Sequence, residues 1–483
     1  MSLLAFKIAV VADLHYSSGC PLPVRRGEYA HIFLARVVHR LNHIIKPDVL
    51  LVMGDCLDVP QAADAKERLE TLKSILDKAE CPVIAVPGNH DPEPDVFYEV
   101  MERPAPVVDI GPVRFLTFLD PEEPGYNAVR LPQDLQRMRK AREGHSGPVV
   151  FLQHVPVFPS GLTKCPYGYT NIDEIIEIMD EYAITLSIGG HYHRGTELVH
   201  HNRSSYLAVK ALCEDPFEFC VITIDDDGIS AMNHSLKMPA HLGLIDRHVH
   251  SEYAYCGEDM DMEVSVELAE LFGLAGLVFT EHSSHLYYGR DPAWRQGFSP
   301  TYPGMPGRMP QYWQSAKPFL SDSVQVGLEV DYDFHGRPVL LEEDRKRSQL
   351  LVGAVHFLPA SMRRPVDVER LADEYMATLA KLMPDGMHVL AHPFRIFRRS
   401  GVETPDRLYE PMVRLLKEHK VAAELNFHTN SPDPEFFRMC IDAGVKISFG
   451  SDAHAQYEVG EFAQHLQLLS DCGFDGDLKE ILL

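Results

Sequence analysis

The stretch Leu244-Ile245-Asp246-Arg247-His248-Val249-His250 decides how the second half of the chain is interpreted. A short apolar run ends in Asp-x-His-x-His, the layout of a buried strand that carries polar side chains at its C-terminal end. The chain opens in a similar way, because Asp13-Leu14-His15 follows the apolar run 6–12. We therefore expect two domains in series, residues 1–240 and 241–483, each with its own set of polar strand-end residues.

Composition places the chain among globular proteins of more than one domain. It has 483 residues, of which 45% are apolar and 24% charged, and two or three domains are expected for this length. There is no unbroken apolar run long enough to span a membrane, and no signal peptide is visible. Nine cysteines occur without a CxxC pair, which favours reduced thiols in a cytoplasmic protein.

The net charge of the chain indicates which kinds of binding partner are expected. Lys and Arg number 45 against 70 Asp and Glu, giving a net charge of −25. Affinity for long nucleic acid comes from clustered Lys and Arg, so such a partner is not expected. Part of the negative charge is expected to face metal ions.

Apolar runs of strand length recur through residues 1–240. Helical patterns at 28–45 and 62–79 separate the early runs, and turns separate the later ones, with Asp225-Asp226-Asp227-Gly228 as a hairpin turn. This order favours two packed sheets flanked by helices. The predicted strands are 6–12, 48–53, 83–86, 113–119, 149–153, 184–188, 205–209 and 217–224.

Polar residues follow five of these strands, where open α/β sheets collect ligands. Glycines beside them let the backbone turn sharply, so that short side chains can reach a metal ion. The residues are Asp13, His15, Asp55, Asp58, Asn89, His90, His154, His191 and His193.

These residues resemble the calcineurin-like metallophosphoesterase family. Its blocks D-x-H, G-D-x-x-D, G-N-H-D, a lone His and G-H-x-H are all present, in order. The resemblance implies a four-layer α/β/β/α sandwich with two metal ions, and the mixed oxygen and nitrogen donors suit Mn, Fe or Zn. It assigns Asp13, His15 and His193 to one ion, Asn89, His154 and His191 to the other, and Asp55 as the bridge.

The resemblance also implies the chemistry of the first domain. Activated water attacks phosphorus in line, and His90 protonates the leaving oxygen as a general acid. The alternative for His90 is a turn histidine that bonds only to backbone. Asp58 is expected to orient a ligand, and the spacing of the first blocks is most similar to the cyclic-nucleotide phosphodiesterase branch.

From Leu244 the pattern changes to alternating strands and helices, which indicates a parallel barrel. Helical patterns lie at 260–272, 366–383, 405–419 and 433–443. The predicted strands are 244–249, 275–280, 324–330, 350–355, 387–391, 421–427 and 445–450.

These strands also end in polar groups that can face one barrel mouth, and the set resembles the PHP (polymerase and histidinol phosphatase) family. The resemblance implies a distorted (β/α)7 barrel that binds two or three ions of Mn, Fe or Zn. Glu281 is expected to orient a ligand, and Asn426 is left unassigned. The implied ligands are His248, His250, His282, Glu329, His356, His392, Asp452 and His454.

The chain departs from the family at one position. Tyr255 stands where the family usually has an acidic ligand, five residues after His250. Cys256 or Glu258 could replace that ligand, or the third ion could be missing. Cys256 could equally be a small buried apolar residue.

Residues 285–320 form a long insertion that contains Trp294 and Trp313. Loops of this length are usually functional or disordered, and the aromatic residues favour a lid over the barrel mouth. Three arginines of the insertion are then candidates to meet a phosphate, and Arg395, three residues after His392, is the preferred phosphate-binding and catalytic candidate. The three are Arg290, Arg295 and Arg308.

The sequence favours a bifunctional, metal-dependent hydrolase of small soluble phosphate esters. The first domain would cleave a diester to a monoester, and the barrel would remove the remaining phosphate. Two alternatives stay open: a nuclease, and a single active domain with the other as a regulatory or recruiting module. The acidic charge disfavours the nuclease.

Overall fold

The computed structural model describes residues 5–19, 22, 24–290, 307–333 and 335–483. The chain forms two compact units, Met1–Leu236 and Lys237–Leu483, which we name the first domain and the barrel domain. Among the described residues, no helix has both the length and the apolar character needed to cross a lipid bilayer.

Two β-sheets form the centre of the first domain. Its strands are β1 Phe6–Val11, β2 Val49–Met53, β3 Val83–Val86, β4 Val107–Ile110, β5 Val113–Thr117, β6 Glu122–Glu123, β7 Asn127–Ala128, β8 Val149–Leu152, β9 Leu186–Gly189, β10 Val199–His201, β11 Ser204–Ala208, β12 Glu218–Asp225 and β13 Gly228–Ser235. One sheet has the order β13-β12-β1-β2-β3 and the other the order β10-β11-β9-β8-β5-β4 in the described residues, while β6 and β7 form a hairpin.

The apolar core of the first domain lies between these sheets. Ile8 and Val10 of β1 share it with Phe115 of β5 and Leu152 of β8, and all four side chains are buried. Burying one such side chain contributes roughly 1.5–3 kcal/mol. The core therefore fixes the facing strands, and with them the positions of the strand ends.

Helices cover the outer faces of both sheets. Pro132–Arg139 and Ile172–Glu181 pack against the six-stranded sheet around Phe151. On the five-stranded sheet, Ala9 and Val11 of β1 are fully buried although they alternate with the inner residues. The sequence prediction of an α/β/β/α sandwich is confirmed. The helices are Ala30–Arg40, Ala65–Leu76, Pro94–Phe97, Pro132–Arg139 and Ile172–Glu181.

The barrel domain is built on a parallel sheet. Its strands are β14 Ile245–Val249, β15 Gly276–His282, β16 Val324–Asp331, β17 Leu351–Ala354, β18 Val389–Leu390, β19 Ala422–Leu425 and β20 Ile447–Phe449. They pair in chain order from β14 to β20. Val249 forms a bridge with Ala453, just after β20, so the sheet is nearly closed and the predicted seven-stranded barrel is confirmed.

Helices connect the barrel strands and begin where the sequence supplies caps. Asp261 accepts a hydrogen bond from the Val264 N–H, and Asp367 accepts one from the Arg370 N–H; such caps satisfy backbone donors at a helix start. The helices are Met262–Leu271, Ser283–Tyr287, Met309–Ala316, Glu342–Arg347, Val368–Leu382, Arg395–Arg399, Tyr409–His419, Pro434–Ala443, Ala463–Asp471 and Leu478–Ile481.

The insertion predicted as a loop is partly helical. Trp313 lies in the helix Met309–Ala316, and its indole N–H donates to Asp344 over 2.9 Å. Arg308, predicted to meet a phosphate, instead donates to the backbone oxygens of Tyr253 and His285, because those carbonyls lie within its reach. Arg290 is exposed. Trp294, Arg295 and residues 291–306 of the proposed lid (285–320) lie outside the described residues.

Candidate metal centres

The folds bring the strand-end residues of the first domain into two adjoining clusters. In the first cluster, His15 Nε2 lies 3.1 Å from His193 Nε2. His15 Nε2 is also 3.6 Å from Asp55 Oδ2, and His193 Nε2 is 3.6 Å from Asp13 Oδ1. The ligand atoms of Asp13, His15 and His193 lie within 4.8 Å of one another, close enough for one ion to contact all three.

The second cluster forms around His154. Its Nε2 atom lies 3.2 Å from Asn89 Oδ1, 3.2 Å from His191 Nδ1 and 3.3 Å from Asp55 Oδ1. Asp55 therefore turns one carboxylate oxygen towards each cluster. That is the arrangement expected of a side chain between two ions.

The outer nitrogens of the histidines define which atoms can bind a cation. His154 Nδ1–H donates to the Met53 carbonyl over 2.8 Å, and His191 Nε2–H donates to the Tyr126 carbonyl over 3.0 Å. His193 Nδ1–H donates to Glu214 Oε1 over 2.6 Å. Because these partners accept only, each outer nitrogen carries the proton, and the inner nitrogen of a neutral ring presents a lone pair. Lone pairs that face one another at 3.1–3.2 Å fit a bound cation.

The backbone around these clusters is unusual. Four of the predicted ligands of the first domain have positive φ angles: Asp13 (54°), His15 (48°), Asp55 (52°) and His191 (63°). Such conformations cost free energy and persist where the surrounding structure holds them. A Cβ atom at Gly88 would collide with the Asp55 carboxylate, so glycine is needed there for close approach.

Burial and neighbouring charges shift the pKa values in the first domain. Burial raises the pKa of Asp13. Burial also opposes ionisation of Asp55, but the charges of His154 and His15 outweigh it and lower the pKa of Asp55. Burial and the charge of His154 lower the pKa of His191 to about 4. His191 is therefore neutral at pH 7, as a metal ligand must be.

A cavity of about 530 Å³ opens beside both clusters and is lined by His90, Asn89 and Asp55. The His90 N–H donates to Asp55 Oδ1 over 2.8 Å, and His90 Nδ1 lies 2.9 Å from the Asp58 carbonyl. Asp58 Oδ1 lies 3.2 Å from His15 Nδ1, where it can orient that ring. The far wall carries aromatic and cationic side chains, namely Arg25, Tyr126, Tyr167, Tyr192 and Arg194.

In the barrel domain one carboxylate is shared by many histidines. Glu329 Oε1 lies 3.0 Å from His392 Nε2 and 3.2 Å from His356 Nε2. Glu329 Oε2 lies 2.5 Å from His282 Nδ1 and 3.6 Å from His248 Nε2. Glu329 is fully buried, so this convergence brings several donors to one point inside the barrel.

A second barrel carboxylate, Asp452, completes the set. Its Oδ1 atom lies 2.9 Å from His250 Nε2 and 3.5 Å from His248 Nε2. Its Oδ2 atom accepts from Arg395 Nη1 over 2.6 Å. Burial opposes the charge on Asp452, but the charges of His248 and Arg395 outweigh it and lower the pKa of Asp452.

Outer contacts again fix the histidine rings. His248 Nδ1 contacts Glu424 Oε1 over 2.6 Å, and His356 Nδ1 contacts Asp331 Oδ1 over 2.8 Å. In the described part of the chain, the buried inner atoms His248 Nε2, His356 Nε2 and Glu329 Oε2 make no hydrogen bond of acceptable geometry, although His356 Nε2 lies 3.2 Å from Glu329 Oε1 and Glu329 Oε2 lies 2.5 Å from His282 Nδ1. Buried polar atoms are normally satisfied, so these atoms fit a bound cation. Glu281 holds the His250 ring, with Oε1 at 3.3 Å from Nδ1.

The barrel cavity is smaller, at about 280 Å³, and it is lined by Cys256, His282, His454, Arg395 and other polar residues. Tyr255, which occupies the position of the expected acidic ligand, points elsewhere: its hydroxyl donates to the Tyr288 carbonyl over 3.0 Å. Cys256 faces the centre instead, with Sγ 3.1 Å from His454 Nε2.

Several residues of these centres were not predicted from the sequence. Glu214 lies in a loop after β11 and has no local signal. Glu424 and Asp331 do have a signal in the sequence. Each is an acidic residue within or at the end of a largely buried strand, where its carboxylate needs a partner. Tyr126 contributes through its backbone oxygen, which sequence type does not reveal.

Comparison with known proteins agrees with this geometry. Residues 6–195 match the calcineurin-like phosphoesterase family, and residues 246–428 match the PHP domain family. The first match includes every predicted ligand of the first domain. The second ends before Asp452 and His454, which the barrel fold brings to the same centre.

Individual relatives cover 40–48% of the chain. A probable cyclic nucleotide phosphodiesterase from Synechococcus sp. is 29% identical over 198 residues, which is 40% of this chain and 74% of that protein. A dimetal phosphatase from Danio rerio has a TM-score of 0.40 and 14% identity, covering 48% of this chain and 98% of that one. A purple acid phosphatase from yellow lupin (Lupinus luteus) seeds has a TM-score of 0.34 and 12% identity, covering 48% and 52%.

The family matches and the clustered electron-pair donors lead to one conclusion for the two domains. Both clusters suit divalent metal ions. The chain combines a calcineurin-like phosphoesterase domain with a PHP domain, and it is a metal-dependent phosphoesterase.

Proposed function

We propose that the chain is a bifunctional hydrolase of small phosphate esters, with residues 1–240 and 241–483 as its two catalytic domains. The first domain cleaves a diester to a monoester, and the barrel domain releases the remaining phosphate. One observation carries the proposal: each domain has its own set of converging electron-pair donors at the wall of its own cavity.

We assign two ions of Mn, Fe or Zn to the first domain. The two Asp55 oxygens, at 3.6 Å from His15 and 3.3 Å from His154, support a bridging role. Asp13, His15 and His193 would hold one ion, and Asn89, His154 and His191 the other. When bound, such ions supply positive charge for the phosphate and lower the pKa of water.

His90 is assigned as the general acid of the first domain. The Asp55 carboxylate holds its backbone, and the Asp58 carbonyl holds its Nδ1 atom. Nδ1–H donates to that carbonyl, so Nε2 carries a proton only when the ring is cationic. In that form His90 would give the Nε2 proton to the leaving oxygen in the cavity. The similarity to a probable cyclic nucleotide phosphodiesterase supports a diester as the substrate.

We assign two or three ions of Mn, Fe or Zn to the barrel domain. Their ligands would be His248, His250, His282, Glu329, His356, His392, Asp452 and His454. Arg395 would bind the doubly charged monoester, since it lines the cavity and its guanidinium is held by Asp452 over 2.6 Å. A small cavity with cationic walls suits a compact, highly charged phosphate group.

The two activities would be consecutive on one molecule. Fusion raises the effective concentration of the monoester at the second centre without any sealed tunnel. The acidic composition does not oppose this, because bound cations reverse the local field at each centre.

The test is to give the intact enzyme, loaded with Mn, a diester such as a cyclic nucleotide, and to follow monoester and inorganic phosphate separately. His392→Ala is expected to accumulate the monoester, and His90→Ala is expected to leave the diester uncut. His200→Ala, a change on the edge strand β10, serves as the control. If His392→Ala releases phosphate as fast as wild type, the consecutive reaction is wrong and the two domains serve unrelated substrates.

A further inference from the structure

We propose that Cys256, as a thiolate, binds a metal ion together with His282 and His454, and that this site selects Zn²⁺. The inference rests on the proposed metal-dependent function of the barrel but not on the order of its reactions. It concerns a sulfur ligand, whereas the shared centre around Glu329 and Asp452 offers carboxylate oxygens.

The His454 ring is fixed in one tautomer. Its Nδ1–H donates to the backbone oxygen of Asp452 over 2.6 Å, and a carbonyl oxygen only accepts. The proton of a neutral ring therefore lies on Nδ1. His454 Nε2 carries a lone pair, and that lone pair is 3.1 Å from Cys256 Sγ.

His282 approaches the same sulfur from the other side, with Nε2 3.5 Å from Sγ. Its Nδ1 atom lies 2.5 Å from Glu329 Oε2. With the proton on Nδ1, two imidazole lone pairs face a thiol that has one proton to give. With the proton on Nε2, a bare Nδ1 lone pair faces a carboxylate. Neither neutral tautomer satisfies all three contacts, which are His282 with Glu329, His282 with Cys256 and Cys256 with His454, so an additional positive charge fits this group.

The side chains of Tyr255, Arg308 and His285 do not supply this charge. Tyr255 is turned away to the Tyr288 carbonyl, and the Arg308 guanidinium lies 4.0 Å from the Tyr255 ring centroid. His285 Nδ1 accepts the Tyr255 N–H over 3.2 Å. Three inward-facing donors remain, Sγ and two imidazole nitrogens, and all three residues line the barrel cavity.

The donor set indicates which metal would bind. A thiolate with two imidazoles is a soft, nitrogen-rich set that favours Zn²⁺ over Mn²⁺. Zinc sites with three protein ligands and an open fourth position are of the catalytic type. The three proposed ligands line the cavity that also contains Arg395, so a zinc ion held by them would be available to the same phosphate.

The experiment uses the full-length protein, stripped of metal and reconstituted with Co²⁺ alone. Wild type is expected to show a near-ultraviolet thiolate-to-cobalt charge-transfer band. Cys256→Ser is expected to lose the band and one cobalt ion per chain while keeping the others. Cys472→Ser, at a cysteine whose thiol donates to the Pro434 carbonyl over 3.2 Å and which belongs to neither centre, is the matched control and is expected to keep both.

A second variant guards against misfolding of Cys256→Ser. Cys256→Asp supplies an oxygen ligand, and it is expected to regain the ion without the band and to prefer Mn²⁺ over Zn²⁺ more than wild type does. If wild type shows no band, or Cys256→Ser keeps the band and the full metal content, the inference is overturned. The other barrel ions and monoester hydrolysis would then stand, whereas their loss in every form of the protein would overturn the proposed function instead.

Discussion

The two centres are built from the same kinds of residue but share their carboxylates differently. In the first domain Asp55 divides its oxygens between two clusters, one around His15 and one around His154. In the barrel domain Glu329 draws several histidines to one point. The first centre therefore consists of two clusters joined by one carboxylate. In the second centre one carboxylate contacts several of the proposed ligands at once, and we call this arrangement a hub.

The cavities beside the two centres also differ, in volume and in the side chains that line them. The first is about 530 Å³ and has three tyrosines beside two arginines on its wall, and the second is about 280 Å³ and is lined by two arginines and no tyrosine among the described residues. A larger cavity lined by tyrosines suits a diester that carries an organic group on each side of phosphorus. A smaller cavity without them suits a compact monoester.

The largest expected effect comes from replacing each shared carboxylate by its amide. An amide nitrogen cannot bind a cation, so Asp55→Asn and Glu329→Gln should each lose metal and at least about 10³-fold in the activity of their own domain, or about 4 kcal/mol. Metal analysis and separate diester and monoester assays measure this, and each variant is the control for the other domain. If the hub comparison holds, Glu329→Gln loses more ions than Asp55→Asn. Equal losses would contradict it.

His90→Ala separates catalysis from metal binding in the first domain. We expect diester turnover to fall by about 10²–10⁴ while both ions stay bound, because general-acid catalysis is separable from coordination. The measurement is kcat on a diester with a poor leaving group, with metal content determined on the same sample. A decrease in kcat of less than about tenfold would show that His90 is not the general acid and only bonds to backbone in its turn.

The pH dependence of stability tests the role of Asp246, a buried acid in β14 two residues before His248. Burial raises the pKa of Asp246 from its ordinary value of 3.8 to about 6. Its contribution to the stability of the metal-free protein is therefore fully present below pH 3.8 and is lost as the pH rises to about 6. The loss is at most about 3 kcal/mol.

Denaturant unfolding of the metal-free protein between pH 4 and 7 measures this loss. In Asp246→Asn the pH dependence of the free energy of unfolding should be weaker, even if the stability at any one pH is lower. Asp373→Asn, at an exposed helix position, should keep the wild-type pH dependence. An unchanged slope in Asp246→Asn would assign the titration to other groups.

The smallest effect is expected at Arg395. Arg395→Lys keeps the positive charge but loses the fork that holds Asp452 and a phosphate together. We expect KM for a monoester to rise about tenfold, with a parallel weakening of inhibition by inorganic phosphate. Arg398→Lys, at an exposed position of the same helix, is the control. An unchanged KM would assign Arg395 to holding Asp452 alone.

Much of the fold could be predicted because apolar runs mark buried strands. All seven barrel strands lie at predicted positions. The helix Glu342–Arg347 was missed, since its six residues are all charged and have no apolar period. It is held by distant partners instead: Asp344 accepts from Tyr287 and Trp313. The edge strand Val107–Ile110 is only partly buried, and so it also lacks a clear pattern.

The candidate sites, like the fold, could be predicted only in part. Proposed ligands such as His154 and His392 follow apolar strands and can be found from the chain order. Their partners cannot, because Glu214 and Glu424 reach their histidines from 21 and 176 residues away. Cys256 shows the same limit, since only the barrel fold reveals that it, and not Tyr255, faces the centre.

The left-handed backbone at Asp13, His15, Asp55 and His191 affects how long the protein persists in a cell. Each such residue costs about 1–3 kcal/mol, and bound ions stabilise the folded state by mass action. A chain made without metal would unfold more often and meet proteases sooner. Scarcity of metal would then shorten the lifetime of this enzyme, so that its abundance would follow the metal supply.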